Sequence, residues 1–231
     1  MNRPEPFVDE EIYHVYNRGV DKRVVFKDDK DHFRALHDLY EFNDTKPALN
    51  LGFSITEDSL QLIKERTREP IVEVLAFCLM PNHYHLMLRQ LVEGGISLFM
   101  KKFGCGYTYY FNVRHARSGA LFQGKFKAVH VNKEAHMWHL PHYIHLNPLD
   151  LSFPNWRTGG LSKNMVSKAL AELKAYRWSS YLDYTGTHNY PSLTQRNFIL
   201  DLFEGERNYA KNIEDWLTET TLEPLCGVLL E

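Results

Sequence analysis

The 231-residue sequence has little cysteine, no long apolar run and, over one extended stretch, no acidic residue. The three cysteines, Cys78, Cys105 and Cys226, are odd in number and widely separated, which argues against a disulfide framework. The longest apolar stretch, VLAFCLM, is far shorter than the roughly 20 residues that a membrane-spanning helix needs. The start, MNRPEPFVDEE, lacks the basic and then apolar pattern of a signal peptide. We therefore expect a reducing, cytoplasmic location.

The acid-free stretch lies between Glu93 and Glu134, and it is rich in positive charge. The overall net charge of −2 conceals this asymmetry, because acidic residues dominate from Asp201 to the end. Such a stretch is either an ordinary solvated surface or a face that binds an anionic partner. Its cations are Lys101, Lys102, Arg114, Arg117, Lys125, Lys127 and Lys133.

The hydrophobic pattern predicts alternating strands and helices around one core, which is what a chain of this length can bury. Strands are predicted over 11–17, 72–80, 84–90 and 125–131, and helices over 29–43, 97–112 and 134–147. This order is that of a ferredoxin-like split βαβ sheet, so we expect an α+β fold. It would have an antiparallel sheet with helices on one face, a further helix, and a C-terminal helical extension. We place the main domain at 1–152, with a loop or insertion at 44–70, and the extension at 153–231.

Two histidines lie one residue apart in the predicted strand MPNHYHLML. A strand projects positions i and i+2 from the same face, so His83 and His85 are able to share one metal ion. The same spacing also occurs in pairs of ordinary surface or core histidines. Two imidazoles leave a metal ion short of ligands, so a metal site here requires a third group and open positions.

The helix that ends in HYIHLNP offers such a group. Tyr143 and Asn147 are four residues apart and therefore share one helical face. A phenol oxygen and an amide oxygen on that face could meet the same metal-bound phosphate. The plainer interpretation is a half-buried aromatic residue and a helix terminator before Pro148.

Five blocks of the sequence resemble the single-tyrosine HUH transposases, in particular the REP-associated tyrosine transposase branch. The blocks follow the family's order and extend from about residue 11 to 184. They are YHVYNRGVDKRVVFKDDKDHF, AFCLMPNHYHLML, SGALFQGKFKAV, YIHLNP and YRWSSY.

The resemblance implies a ferredoxin-like catalytic domain and a single-stranded DNA substrate with an imperfect, REP-like hairpin. It assigns the metal-binding histidines to His83 and His85, the third ligand to Asn147 and the nucleophile to Tyr143. Hard, oxygen-preferring ions suit a phosphate site, so we expect Mg²⁺ or Mn²⁺. The cations of the acid-free stretch, Lys101 to Lys133, would then bind DNA. His14, His115 and His130 are interpreted as structural.

The sequence departs from the family pattern just before the nucleophile, where Leu140-Pro141-His142 replaces a helix-compatible stretch with an arginine. Proline inside a helix removes a hydrogen bond and costs about 3 kcal/mol unless something compensates. We expect either a kink or a helix that begins near Pro141. Rival nucleophiles are Tyr107 and Tyr110, which lie on an apolar stripe, and Tyr109, which should face outward.

The resulting hypothesis is a transposase that cleaves and rejoins single-stranded DNA through a 5′-phosphotyrosine, acting as a monomer or a homodimer. Two alternatives remain open. One is a DNA-hairpin-binding protein that has lost its chemistry, and the other is a metal-dependent nuclease that uses water.

Overall fold

A computed structural model describes residues 6–48 and 68–218, and its centre is a four-stranded antiparallel sheet. The strands are β1 (Ile12–Arg18), β2 (Val72–Met80), β3 (His83–Gln90) and β4 (Lys127–His130), in the spatial order β2-β3-β1-β4. The expected α+β fold is confirmed. The predicted loop at 44–70 lies mostly outside the described residues, and its flanks at 44–48 and 68–70 form neither helix nor strand.

Helices α1 (Asp29–Glu41) and α2 (Gly95–Arg114) cover one face of the sheet. The side chain of Asp28 caps α1 by accepting a hydrogen bond from the Asp31 amide at 3.1 Å. Gly106 lets α2 lie close to α1, since a Cβ there would come within 2.5 Å of the Phe42 ring. This layer buries Val15, Phe77 and similar apolar residues of the strands.

Helix α3 (Glu134–Leu146) and the C-terminal helices cover the other face. They are α4 (Trp156–Gly159), α5 (Lys163–Ala175), α6 (Tyr181–Tyr184), α7 (Asn197–Leu202) and α8 (Glu206–Thr218). Their apolar residues form one continuous cluster with α3 and the sheet. The boundary at residue 152 stays a prediction, although this packing shows that the two segments share a core.

Strand β2 is buried along almost its whole length because it is covered on both faces, as its continuous apolar pattern predicts. Its outer edge is closed by the block YRWSSY. The Leu79 amide donates to the Trp178 carbonyl at 2.9 Å, and the Ser180 amide donates to the Phe77 carbonyl at 3.0 Å. The edge of the sheet at β2 is therefore protected from pairing with another chain.

Helix α3 begins at Glu134 and continues through Pro141. The expectation of a helix that begins near Pro141 is therefore wrong. Pro141 is buried within the turn that leads to Tyr143, so packing offsets the lost hydrogen bond. Within 6–48 and 68–218, no helix is both long and apolar enough to span a membrane.

Candidate active site

The histidine pair lies on the sheet face that α3 covers. In the register of β1 and β3, Tyr16 pairs with His85 and Arg18 pairs with His83. Paired residues of an antiparallel ladder project to the same side. His83 and His85 therefore share one face, and their ring centroids are 5.0 Å apart.

The structure places Tyr143 directly against this pair. Its ring centroid is 5.4 Å from that of His85, and the two rings are perpendicular at 89°. Tyr143 is 6% exposed, because it lies between the sheet and the segment that follows α3. The predicted convergence of the histidine pair and the tyrosine is thus present in the fold.

Asn147 ends α3 one turn after Tyr143. Its amide nitrogen donates to the Tyr143 carbonyl at 2.7 Å, which fixes the orientation of the amide. The side chains of Asn147 and His83 interact, and this interaction only partly offsets the lowering of the His83 pKa by burial. The third predicted ligand is therefore in contact with the first.

Each imidazole of the pair is held through its Nδ1 atom. His83 Nδ1 lies 2.6 Å from Asn82 Oδ1, and His85 Nδ1 lies 2.8 Å from His14 Nε2. Both imidazoles consequently have Nε2 as the atom available to a further ligand. His14 was interpreted as structural from the sequence, but it is part of the site.

Burial keeps these imidazoles neutral. Burial, followed by the positive charge of Arg18, lowers the pKa of His83 to about 4, and burial lowers the pKa of His14 to about 3. Burial, followed by His14 and His83, also holds the pKa of His85 well below its usual range. Neutral imidazole is the form that binds metal ions, so the pair is ready for a cation at neutral pH.

The two imidazoles of His83 and His85 would suit a hard divalent ion only if an amide oxygen joined them, because such ions prefer oxygen ligands. In the part of the chain that the structure describes, no group of three or more His, Cys, Asp or Glu side chains is arranged to hold a metal. Asn147, beside His83, would supply a protein oxygen to such an ion. Two imidazoles and one amide leave positions for water or phosphate oxygens, which magnesium and manganese prefer.

Arg157, on the short helix α4, contributes a positive charge that was not predicted from the sequence. Its Cζ atom lies 4.8 Å from the centroid of the Tyr143 ring and 4.5 Å from that of the Trp156 ring. Asp150 accepts hydrogen bonds from its Nε and Nη2 atoms, each at 3.1 Å. The guanidinium is thus held between two aromatic rings next to the tyrosine.

The rival tyrosines lie away from the histidine pair. Tyr107 is buried on the α1 and α2 side, where its hydroxyl donates to the Val25 carbonyl at 2.6 Å. Tyr110 belongs to the same layer and bonds to Asp31. Tyr109 is 73% exposed, as its position in the helical pattern predicts.

The seven cations of the acid-free stretch divide into two groups. Lys101, Lys125 and Lys127 line a groove between α2 and the segment before β4, and Lys133 is exposed at the start of α3. The others make contacts within the protein. Lys102 donates to the Asp44 carbonyl, Arg117 to Asn112 and the Ala120 carbonyl, and Arg114 pairs with Asp28 and Asp31.

The groove reaches the histidine face through Tyr16. This residue lines the groove, and its ring lies 4.9 Å from that of His14 and 5.8 Å from that of His85. Lys127 Nζ lies 5.8 Å from the Tyr16 ring centroid. The groove has a volume of about 1510 Å³ and is also lined by Phe7 and Phe126.

Comparison with known proteins agrees with this geometry. The family model described as Transposase IS200 like matches residues 49–147, which include His83, His85, Tyr143 and Asn147. The resemblance to a tyrosine transposase is confirmed. No curated protein sequence matches the chain.

One solved structure supports the fold of this chain. It is described as a REP-associated tyrosine transposase bound to a REP hairpin; it is 12% identical, with a TM-score of 0.51, over 83% of this chain and 88% of that one. A tRNA(His) guanylyltransferase from Saccharomyces cerevisiae covers 90% of this chain and 82% of its own at 9% identity, but its TM-score of 0.35 carries no weight. The family match over residues 49–147 supports a transposase function, and the first structure supports the fold.

Proposed function

We propose that this protein is a single-tyrosine HUH transposase that cleaves and rejoins single-stranded DNA containing a hairpin, in the cytoplasm. The observation that carries the proposal is the position of Tyr143, whose ring lies 5.4 Å from His85 on the face that also holds His83 and Asn147. These four residues would provide a nucleophile and a ligand set that converge on one phosphate.

Tyr143 is the nucleophile in this proposal. Its oxygen attacks the scissile phosphorus and forms a P–O bond, while the bond to the 3′ oxygen breaks. The products are a 5′-phosphotyrosine and a 3′-hydroxyl, which takes up the proton that the phenol releases. The phosphodiester bond energy is preserved, so the reverse attack by a 3′-hydroxyl reseals a strand without ATP.

The phenol needs help, because with an ordinary pKa of about 10 only roughly one molecule in a thousand is ionised at neutral pH. His83, His85 and Asn147 would hold Mg²⁺ or Mn²⁺, which would stabilise the charge that builds on the phosphate oxygens. Arg157, fixed by Asp150 beside the Tyr143 ring, adds a second positive charge at the same place. Its planar fork is suited to phosphate oxygens.

The groove binds the DNA strand in this proposal. Lys101, Lys125 and Lys127 contact phosphates, and the Phe7 and Phe126 rings contact unpaired bases in the groove. Tyr16 joins the groove to the histidine face, so the strand runs past Tyr16 towards Tyr143. A monomer or a homodimer would serve this geometry.

A second candidate function is that of a hairpin-binding protein without chemistry. It is favoured by the 6% exposure of Tyr143, whose ring lies under the guanidinium of Arg157. A phosphate reaches the Tyr143 oxygen only if that cover shifts or if the oxygen faces an opening.

One experiment separates these functions from hydrolysis by water. A hairpin with a single-stranded flank is selected from a pool of randomised flanks by retention on the protein, labelled at either end and incubated with Mn²⁺. A denaturation-resistant adduct that Tyr143→Phe abolishes supports the transposase. Free cut ends without an adduct indicate a nuclease, and retention without cutting indicates the binding protein.

A further inference from the structure

His14 is a third imidazole beside the histidine pair, and it comes from a different strand. It lies on β1, fully buried, with the plane of its ring 19° from that of His85. In the strand register His14 pairs with Met87, so it shares the face of His85. Its Nε2 atom is 2.8 Å from His85 Nδ1.

The hydrogen bond between the two rings contains a single proton, which is covalently bonded either to His14 Nε2 or to His85 Nδ1. If the proton is on His14 Nε2, the neutral His85 carries its own proton on Nε2, and that atom cannot bind a metal. If the proton is on His85 Nδ1, His85 Nε2 has a free lone pair and His14 Nε2 is the acceptor. Only the second arrangement is compatible with metal binding by His85.

His83 shows the same arrangement with a simpler partner. Its Nδ1 atom lies 2.6 Å from Asn82 Oδ1, and an amide oxygen is only an acceptor. His83 therefore carries its proton on Nδ1 and has a lone pair on Nε2. The two histidines of the pair are thus supported through equivalent atoms by two different acceptors.

We propose that His14 is the positioning residue that accepts the Nδ1 proton of His85 and thereby directs His85 Nε2 to the shared cation. This role rests on the metal site of the proposed function. Partners of this kind fix the ring orientation and the tautomer of a metal-binding histidine, and their loss typically lowers metal affinity by about 10- to 100-fold.

The arrangement leaves a proton on His14 Nδ1, which is buried and has no hydrogen-bond partner among the described residues. A lone buried donor is unfavourable for stability. A buried imidazole at this position is explained if it serves as an acceptor at its other nitrogen. A phenylalanine of the same shape would remove both the unpaired donor and the acceptor.

The test is Mn²⁺ affinity of the full chain without DNA, measured by electron paramagnetic resonance of free Mn²⁺. His14→Phe keeps the ring shape and is expected to weaken binding by about 10- to 100-fold. His14→Gln places an amide oxygen near the position of Nε2 and is expected to stay within about threefold of wild type. His130→Phe, on the neighbouring strand β4 and paired with Tyr13 on the opposite face, is the matched control and should bind as wild type.

Equal Mn²⁺ affinity of wild type and His14→Phe would overturn the role of His14 and leave the metal site intact. Absence of Mn²⁺ binding by the wild type would overturn the metal site itself and the role of His14 with it. If His14→Phe does not fold, ¹⁵N spectra of the Mg²⁺-loaded wild type decide: a proton on His85 Nδ1 supports the inference, and a proton on Nε2 overturns it.

Discussion

The ring of Tyr143 stands perpendicular to that of His85, with the two centroids 5.4 Å apart. The relationship arises because α3 crosses the sheet face on which β3 presents its alternate residues. A phenol held edge-on against the His85 imidazole is close enough for both side chains to approach the same phosphate. Residues from β1, α3 and the connector after α3 complete the site.

His83→Ala removes one metal ligand and should reduce Mn²⁺-dependent adduct formation by at least about 100-fold, because the charge on the phosphate oxygens then loses its support. Binding of the selected hairpin, measured by anisotropy without metal, should stay within about threefold. His130→Ala is the matched control, since His130 lies at the edge of the sheet and bonds to Glu11. Equal loss in both variants would show that the effect is not specific to the site.

Arg157→Gln should slow adduct formation by about 100-fold, the typical effect of losing one donor to a developing oxyanion. Arg157→Lys should form the adduct at a rate between those of wild type and Arg157→Gln, because lysine keeps the charge but loses the planar fork that Asp150 holds. The rate is measured in a single turnover with excess protein. Arg177→Gln is the matched control, since Arg177 also lies over aromatic rings, those of Phe33 and Trp178. An unchanged rate in Arg157→Gln would remove Arg157 from the mechanism.

Replacement of the groove lysines Lys101, Lys125 and Lys127 by glutamine should reduce the salt dependence of DNA binding. The slope of log affinity against log salt concentration is expected to become less steep by about 2, which corresponds to roughly 0.7 for each lost contact with a single strand. If all seven cations bound phosphates, the slope would be about −5, but Lys102, Arg114 and Arg117 are engaged within the protein.

Titration of binding against salt checks this expectation. Lys163, Lys168 and Lys174 on α5 are exposed and give a matched triple control. A slope that the groove variant leaves unchanged would place the DNA elsewhere.

Stability should fall on acidification because His142 is buried among aromatic rings. Burial, followed by the neighbouring His145 and His139, holds the pKa of His142 well below its usual range. The unfolded chain then binds the proton more readily than the folded one. The free energy of unfolding is therefore highest above about pH 6.5. Below that pH it falls by about 1.4 kcal/mol per pH unit for each such histidine.

In His142→Phe, the free energy of unfolding should depend less steeply on pH between pH 6.5 and 5, by the contribution of one histidine. Urea unfolding at several pH values measures this slope. Phenylalanine keeps the packing against Phe203 and Trp216, and neither ring nitrogen of His142 has a partner among the described residues. His188→Phe is the control, because His188 is exposed and meets solvent in both states. The same slope in wild type and His142→Phe would contradict this assignment.

The parts of the site that follow from local periodicity were predictable from the sequence. Alternation on β3 places His83 and His85 on one face, and helical spacing places Tyr143 and Asn147 together. The antiparallel order of the strands follows from the succession of elements. The predicted bounds of β2 agree with the structure.

The remaining parts depend on contacts between distant segments. The place of His14 in the site could be seen only from the register of β1 with β3. The place of Arg157 could be seen only from the path of the chain after α3. The block YRWSSY is one of the five that carry the family resemblance, but its place along the edge of β2 has no local signal. The helix over 134–147 was predicted, and only the alternative that it begins near Pro141 was wrong, because buried packing overrides the local preference of proline.

The most direct test of the central claim is to locate the DNA on the protein. The adduct formed with the selected hairpin is digested with protease and nuclease, and the modified peptide is sequenced by mass spectrometry. The expected result is a 5′-linked nucleotide phosphate on Tyr143. A nucleotide on Tyr107, Tyr109 or Tyr110, or cut DNA with free 5′ ends and no modified tyrosine, would contradict the proposed role of Tyr143.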